Sequence, residues 1–339
     1  MDSLTQIVLG AACGEIALGK KIGNKALLFG AVGGTIPDLD VILGTLFYTN
    51  SIDELVFHRG FMHSIVFAFI GALAFGYLTF KLYNSGKRTY TTTLKDWIWL
   101  YFLSIFTHPI LDSFTPYGTQ LFLPFSNYRV AFNTIAVVDP LYTLPFLVCL
   151  IILLFFKRNN PKRTFYLKAG FYISFAYMLF TIGNKFYVDT VFKEAMDVTG
   201  IEYSRFSSQP TILNNVLWYA IAETKEDYKV TFYSLLDSKT PENNFVSLPK
   251  NHNLLPMNHE DLQKLTWFSN NFYNLQKIDS VTTRYNDLRY PLLNSNDKSS
   301  SIFSFKVEKN GNRWEALPLY DKTPSKKDFK VFWERIFGI

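Results

Sequence analysis

Long apolar runs occupy the first 190 residues, and beyond them the pattern changes to short alternating segments separated by polar turns. The runs predict apolar helices near 4–19, 25–47, 61–83, 96–113, 136–156 and 166–188, since about 20 mostly apolar residues suffice to cross a bilayer. FMHSIVFAFIGALAFGYLTF and VVDPLYTLPFLVCLIILLFF are the clearest; the first run is short, and Gly33, Gly34 and Pro37 interrupt the second. Proline breaks the helical ladder, and non-helical backbone persists at membrane depth only where protein covers it or where it lines a wet cavity. The broken second run therefore predicts that the stretch from Pro37 to Asp40 borders a cavity. Ser3 followed by Gln6 reads as a capping box, so the first helix is expected to begin at once. Lys20 and Lys21 follow this first run instead of preceding it, which argues against a secretory signal.

After residue 190, YKVTFYSLL (228–236) and SIFSFKV (301–307) alternate with a period of two and predict antiparallel strands, with helical pieces near 190–198 and 326–337. The expected fold class is an all-α polytopic membrane helical bundle of about 5–6 apolar helices, one broken, over residues 1–189. A C-terminal soluble domain, mainly-β or α+β, is expected over 190–339.

Composition changes this picture little, because a mean hydropathy of +0.07 averages over two unlike halves. Cys13 and Cys149 lie far apart in apolar segments, which argues against a disulfide or a cysteine zinc site. The net charge of +6 raises a nucleic-acid partner, but the basic residues cluster between apolar runs, not along a groove or recognition helix. Lys20, Lys21 and Lys25, then Lys81, Lys87, Arg88 and Lys95, then Lys157, Arg158, Lys162, Arg163 and Lys168 fill alternate loops, while the others hold almost only Arg59 and Arg129. The positive-inside rule then puts the 48–60 and 113–135 loops and everything after 190 on the extracytoplasmic side.

His58, His63 and His108 stand beside carboxylates within or at the mouth of apolar runs, where an ionisable side chain is costly to bury. His108 and Asp112, four apart on a helix, share one face and suit a pair of metal ligands, a ligand with its supporting carboxylate, or equally a buried hydrogen-bonded pair. His58 and His63 suit one ligand from a loop and one from the following helix start. Asp38 reads as a ligand and Asp40 as an outer ligand or base, although Asp at a helix start also serves as a cap. Arg59 suits a substrate phosphate through its planar fork, or snorkels to headgroups. Ser64 and Asp139 read as helix-start residues, and Glu15 as a partner of Lys20 or Lys21. The set suits zinc or another borderline divalent ion, one or more, and an open coordination position would supply hydroxide near neutral pH. Hydrolysis follows. A metal or proton transporter is the alternative, since His and Asp at a broken helix also describe an ion path, and a non-catalytic, metal-stabilised envelope scaffold is a third class.

Taken together, MDSLTQIVLG, GGTIPDLD, FHRGFMHS, FTHPILDSFTPYGTQLFLPFSNYRVAFNTI and VVDPLYTLP resemble the membrane-bound, metal-dependent hydrolases of the DUF457 or YdjM-like group, over about the first 160 residues. That family commonly starts MDPLTH; Gln6 stands at the last of these positions and is expected to cap or hydrogen-bond and not to ligate. The order PD, HS, HxxxD is also distantly similar to zinc-dependent phospholipase C. The resemblance implies a hydrolase of the bacterial inner (plasma) membrane acting on a lipid or other amphiphile, multinuclear metal chemistry, and Asp38, His63, His108 and Asp112 as ligands. A protein partner for the C-terminal domain is a further expectation.

Overall fold

A computed structural model describes residues 1–242, 244–292, 301–319 and 325–339. It divides into two compact units, Met1–Leu43 with Phe57–Ile182, and Gly44–Val56 with Gly183–Ile339. The first holds α1 (Ser3–Ile22), α2 (Asn24–Thr35), the residues before Gly44 of α3 (Asp40–Phe47), then α5 (Ile65–Tyr83), α6 (Leu94–Asp112), α7 (Pro140–Leu154) and α8 (Pro161–Val198) as far as Ile182; α4 (Ser51–Phe57) lies almost wholly in the second.

Helix α1 is capped by Asp2, whose carboxylate accepts from the Thr5 amide at 3.1 Å, so the cap lies one residue ahead of the expected Ser3 and Gln6 is released for other work. Helices α1 and α2 pack backbone to backbone: a Cβ on Gly10 would fall on the Gly30 carbonyl oxygen, and one on Gly14 on the Ala26 carbonyl oxygen. Only glycine permits that approach. Ser104 on α6 donates to the Gly10 carbonyl at 3.4 Å, and Leu18, Ala26, Trp97, Leu100 and Ile105 form the adjoining core. Beyond α2 the chain bends by 44° through a 3-10 turn, Pro37–Leu39, into α3. Ser64 caps α5 and Asp139 caps α7, as their positions predict.

Glu15 does not pair with Lys20 or Lys21. Arg163 takes both its carboxylate oxygens at 2.9 and 2.6 Å, while Lys21 pairs with Asp96. A planar guanidinium satisfies a buried carboxylate through two hydrogen bonds, whereas the lysines remain at the exposed helix end.

The expectation of five or six apolar membrane helices is overturned. Among the described residues two helices, α5 and α8, are long and apolar enough to cross a membrane, or three spans if the bent pair α2 and α3 is counted as one. Helix α7 has 15 residues, about 22 Å of helix against a hydrocarbon core of roughly 30 Å. Helices α1 and α6 dilute their apolar faces with Gln6, Glu15, Lys20 and Lys21, and with Lys95, Asp96, His108 and Asp112.

The second unit carries two four-stranded antiparallel sheets. The first runs β1 (Arg205–Pro210), β2 (Leu217–Glu223), β3 (Asp227–Ser234) and β4 (Val246–Pro249); α9 (Glu260–Phe268) follows, then β5 (Tyr273–Lys277), β6 (Thr283–Asp287), β7 (Ser304–Asn310), β8 (Arg313–Pro318) and α10 (Lys326–Ile336). Val188 and Phe192 of α8 pack on Trp218 and Tyr233. The expected division at 189/190 falls inside α8, and residues 44–56 join the later part of the chain. Ile52 is fully buried among Leu262, Leu265, Leu275 and Tyr285, and Asn50 donates to the Trp314 carbonyl at 2.9 Å. Asp53 pairs with Lys264 at 3.0 Å and Arg313 at 2.7 Å, and Arg313 also grips Asp261.

Burial pushes the Asp53 and Asp261 carboxyls up, but hydrogen bonds from Arg313 to both, from Lys264 to Asp53 and from the Trp314 amide to Asp261 outweigh it and hold both below the ordinary value. A depressed carboxyl stabilises the fold above its unfolded pKa of about 4, and that contribution disappears as pH falls through the folded value. Solvent screening limits each pair to about 0.2–1 kcal/mol. Arg313→Ala is expected to lower the thermal midpoint at pH 7 and to flatten the acid-side loss of stability below about pH 4, read from melting curves over pH.

Candidate metal centre

Three stretches of the first unit converge: the turn at Pro37–Leu39 with the first residue of α3, the segment from His58 to His63, and the last turn of α6. His108 Nδ1 lies 2.6 Å from the Gly34 carbonyl oxygen, a partner that can only accept, so this nitrogen carries a proton and Nε2 is the atom left to face the site. His63 Nδ1 lies 3.0 Å from Asp40 Oδ2, and its Nε2 points to the same place as that of His108. The two Nε2 atoms stand 3.2 Å apart. Asp38 Oδ1 lies 3.4 Å from each, and Asp112 Oδ2 3.6 Å from each. Two ring nitrogens and two carboxylates this close together make a donor set of the kind a divalent cation takes. Ligand atoms about 2.0–2.1 Å from a tetrahedral zinc are about 3.3 Å apart, close to the observed spacing.

Asp38, His63 and His108 accordingly form one group of metal-ligand spacing, and Asp38, Asp40 and His58 a second that shares Asp38, with the ligand atoms in each within 4.8 Å of one another. Asp40 links the two: it accepts from His58 Nδ1 at 2.8 Å and from the Arg59 amide at 2.9 Å, and faces His63. Carboxylates placed behind imidazoles in this way fix ring orientation and raise ligand basicity.

Asp112 is held from three directions. The Met1 ammonium pairs with Oδ1, Gln6 Nε2 donates to Oδ1 at 2.8 Å, and Arg59 Nε lies 3.0 Å from Oδ2. Arg59 sits at φ +60°, a sparsely populated conformation for a residue with a side chain, and its guanidinium also donates to Thr115 Oγ1 at 3.0 Å and lies over the Tyr117 ring. It is 4% exposed and turned inward to Asp112, not toward the opening as a phosphate contact would need. Asp40, His63, His108 and Asp112 are also buried, whereas the Asp38 and His58 side chains keep 29% and 25% exposure and form the mouth of the site. Burial, opposed only in part by Asp40, holds His58 below the ordinary histidine pKa, so its ring is neutral near pH 7.

All seven residues singled out in the sequence, Asp38, Asp40, His58, Arg59, His63, His108 and Asp112, meet in this region. Gln6 is a hydrogen-bond donor to Asp112 and to the His108 carbonyl. Sequence reasoning missed the Gly34 carbonyl, which has no side-chain signal, and Thr115 and Tyr117, which lie in the FTPYG stretch just past Asp112.

Residues 1–186 match the family model described as YdjM inner membrane protein. The chain is 30% identical over 172 residues to the uncharacterized protein YfhP of Bacillus subtilis, covering 49% of each. It is 31% identical over 107 residues to the inner membrane protein YbcI of Escherichia coli, covering 31% of this chain and 57% of that one. The chain thus spans about half the length of the curated relatives it matches. No solved structure matches.

Removing one partner of a buried ion pair leaves the other uncompensated, at a cost of about 3–5 kcal/mol. Asp112→Asn is expected to destabilise the first unit by that order, and Arg59→Leu in the same background to recover part of the loss. Denaturant or thermal unfolding of the two variants checks this, and a double variant no more stable than Asp112→Asn would mean that Arg59 is not the stranded charge.

Proposed function

The chain belongs to the YdjM inner membrane protein family of the bacterial inner membrane, and from that premise we propose that it is a metal-dependent hydrolase cleaving an ester or phosphoester of a lipid or other amphiphile. The observation that carries this reading is the pair of imidazoles whose Nε2 atoms stand 3.2 Å apart beside Asp38, with His108 Nδ1 held by the Gly34 carbonyl. A mixed nitrogen and oxygen donor set suits zinc or a similar divalent ion. Asp38, His63 and His108 would hold it, with Asp40 and His58 able to serve a second ion.

Such an ion supplies Lewis-acid polarisation of a carbonyl or phosphoryl oxygen. The side chains do the rest. Asp40 accepts from His58 Nδ1, which leaves Nε2 of that ring free of a proton in its neutral form, and lies 3.0 Å from His63 Nδ1. His58, neutral and at the mouth, is the group able to take a proton from an attacking water at Nε2. Asp112 anchors the end of α6 through Gln6 and Arg59, making Arg59 a positioning residue. An inner-membrane family and helices long and apolar enough to cross a bilayer support a substrate drawn from the membrane itself.

Elemental analysis of detergent-purified protein tests the reading. Wild type is expected to retain a divalent metal that His63→Ala and His108→Ala lose, and Asp40→Asn to bind it about 10–100-fold more weakly. Wild type should cleave a component of a crude bacterial lipid extract in a chelator-sensitive manner. Equal metal content in all four proteins would remove the centre, and tightly bound metal without cleavage would remove the hydrolase.

A further inference from the structure

We infer that the loop joining α6 to α7 is a lipid-interface element that seats an amphiphile beside the metal centre. From Leu121 to Tyr128 the loop carries no charge. It nonetheless exposes Phe122 at 47%, Phe125 at 86% and Tyr128 at 65%, with Phe132 at 52% close behind. Phe61, two residues before His63, adds a further exposed ring. Several large rings exposed on one uncharged loop are unfavourable in water and point to contact with lipid or a partner, and aromatic rings are enriched at the level of the headgroups.

Two features favour lipid. The Leu121 carbonyl accepts from the amide of Ile65 at 3.0 Å, and Ile65 is the first residue of α5. That helix has 19 residues, about 28 Å, near the thickness of a hydrocarbon core of roughly 30 Å, and Phe69, Ile70, Leu73 and Leu78 lie exposed along it. The first residue of such a span sits at the edge of the hydrocarbon, so the loop bonded to it sits at the interface. The lack of charge agrees with this, since no ionised side chain of the Leu121–Tyr128 stretch would need to leave water.

The loop is also fixed to the site. The Gln120 amide donates to the Arg59 carbonyl at 3.1 Å, Thr119 and Val130 exchange amide hydrogen bonds at 3.0 and 2.9 Å, and the Phe132 amide donates to the Ser113 carbonyl at 2.8 Å. Arg59 follows His58 and Ser113 follows Asp112 in the chain. An acyl chain lying among these rings therefore leaves its polar end near Asp38 and His58, the exposed members of the centre. This delivery role rests on the hydrolase reading above, whereas the interfacial position of the loop does not.

The test uses full-length protein in nanodiscs of phosphatidylethanolamine and phosphatidylglycerol, with Cys13 and Cys149 replaced by alanine. Spin labels are placed at Phe122→Cys and Phe125→Cys, with Lys87→Cys as the water-exposed reference. Both loop labels are expected to collide more with oxygen than with a water-soluble nickel chelate, the reverse of the reference. Loop labels that match the reference, or that broaden each other through a second copy, overturn the inference. A Phe122→Asp, Phe125→Asp double variant should keep the wild-type metal content while losing cleavage of the lipid extract; unimpaired cleavage would refute delivery. Metal loss that spares His63→Ala and His108→Ala would fail the hydrolase reading alone, because label depth is read without turnover.

Discussion

Two imidazole Nε2 atoms brought within 3.2 Å of one another, with Asp38 beside them, set the geometry of the centre. Everything around them exists to fix the opposite edges of the rings. His108 depends on the Gly34 carbonyl, and that carbonyl is in place because α1 and α2 approach without side chains at Gly10, Gly14 and Gly30. His63 depends on Asp40, which in turn is held by His58 and by the Arg59 amide. The glycine contact of the helices and the orientation of the donors are one constraint seen at two scales.

Charge placement follows from the same geometry. A carboxylate as deeply buried as Asp112 is costly unless paired, and it is met by Arg59, Gln6 and the Met1 ammonium. Asp38 has the imidazoles as its neighbours and keeps contact with solvent. The carboxylates thus divide into one neutralised within the protein, one spent on orienting rings, and one aimed at the point where the ring nitrogens meet. This division gives the residues of the centre unequal roles, although sequence alone presents them as equivalent acids.

Residues 44–56 show a second economy of the chain. Ile52, Asn50 and Asp53 are bound by hydrophobic burial, a backbone hydrogen bond and ion pairs to elements from α9 and β8, more than two hundred residues later. Residues 50–53 are therefore ordered by the packing of the second unit, and their stability is coupled to the sheets there.

Much of the local structure was legible in the residues themselves. The broken helix at Pro37, the caps at Ser64 and Asp139, the shared face of His108 and Asp112 and the strands Asp227–Ser234 and Ser304–Asn310, expected at 228–236 and 301–307, each follow from a short-range rule about dihedrals, periodicity or an orphaned amide. The number of membrane spans was not legible, because a run of apolar residues does not reveal whether α7 is long enough or whether the polar positions of α1 and α6 turn inward. Nor was the inward turn of Arg59, the choice of Arg163 by Glu15, or the allegiance of residues 44–56. Sequence by itself determined which chemical groups are present and how each sits on its own turn of backbone. Tertiary structure decided which of them meet, because the deciding partners are a glycine carbonyl and side chains from distant parts of the chain, and neither leaves a mark on the local pattern.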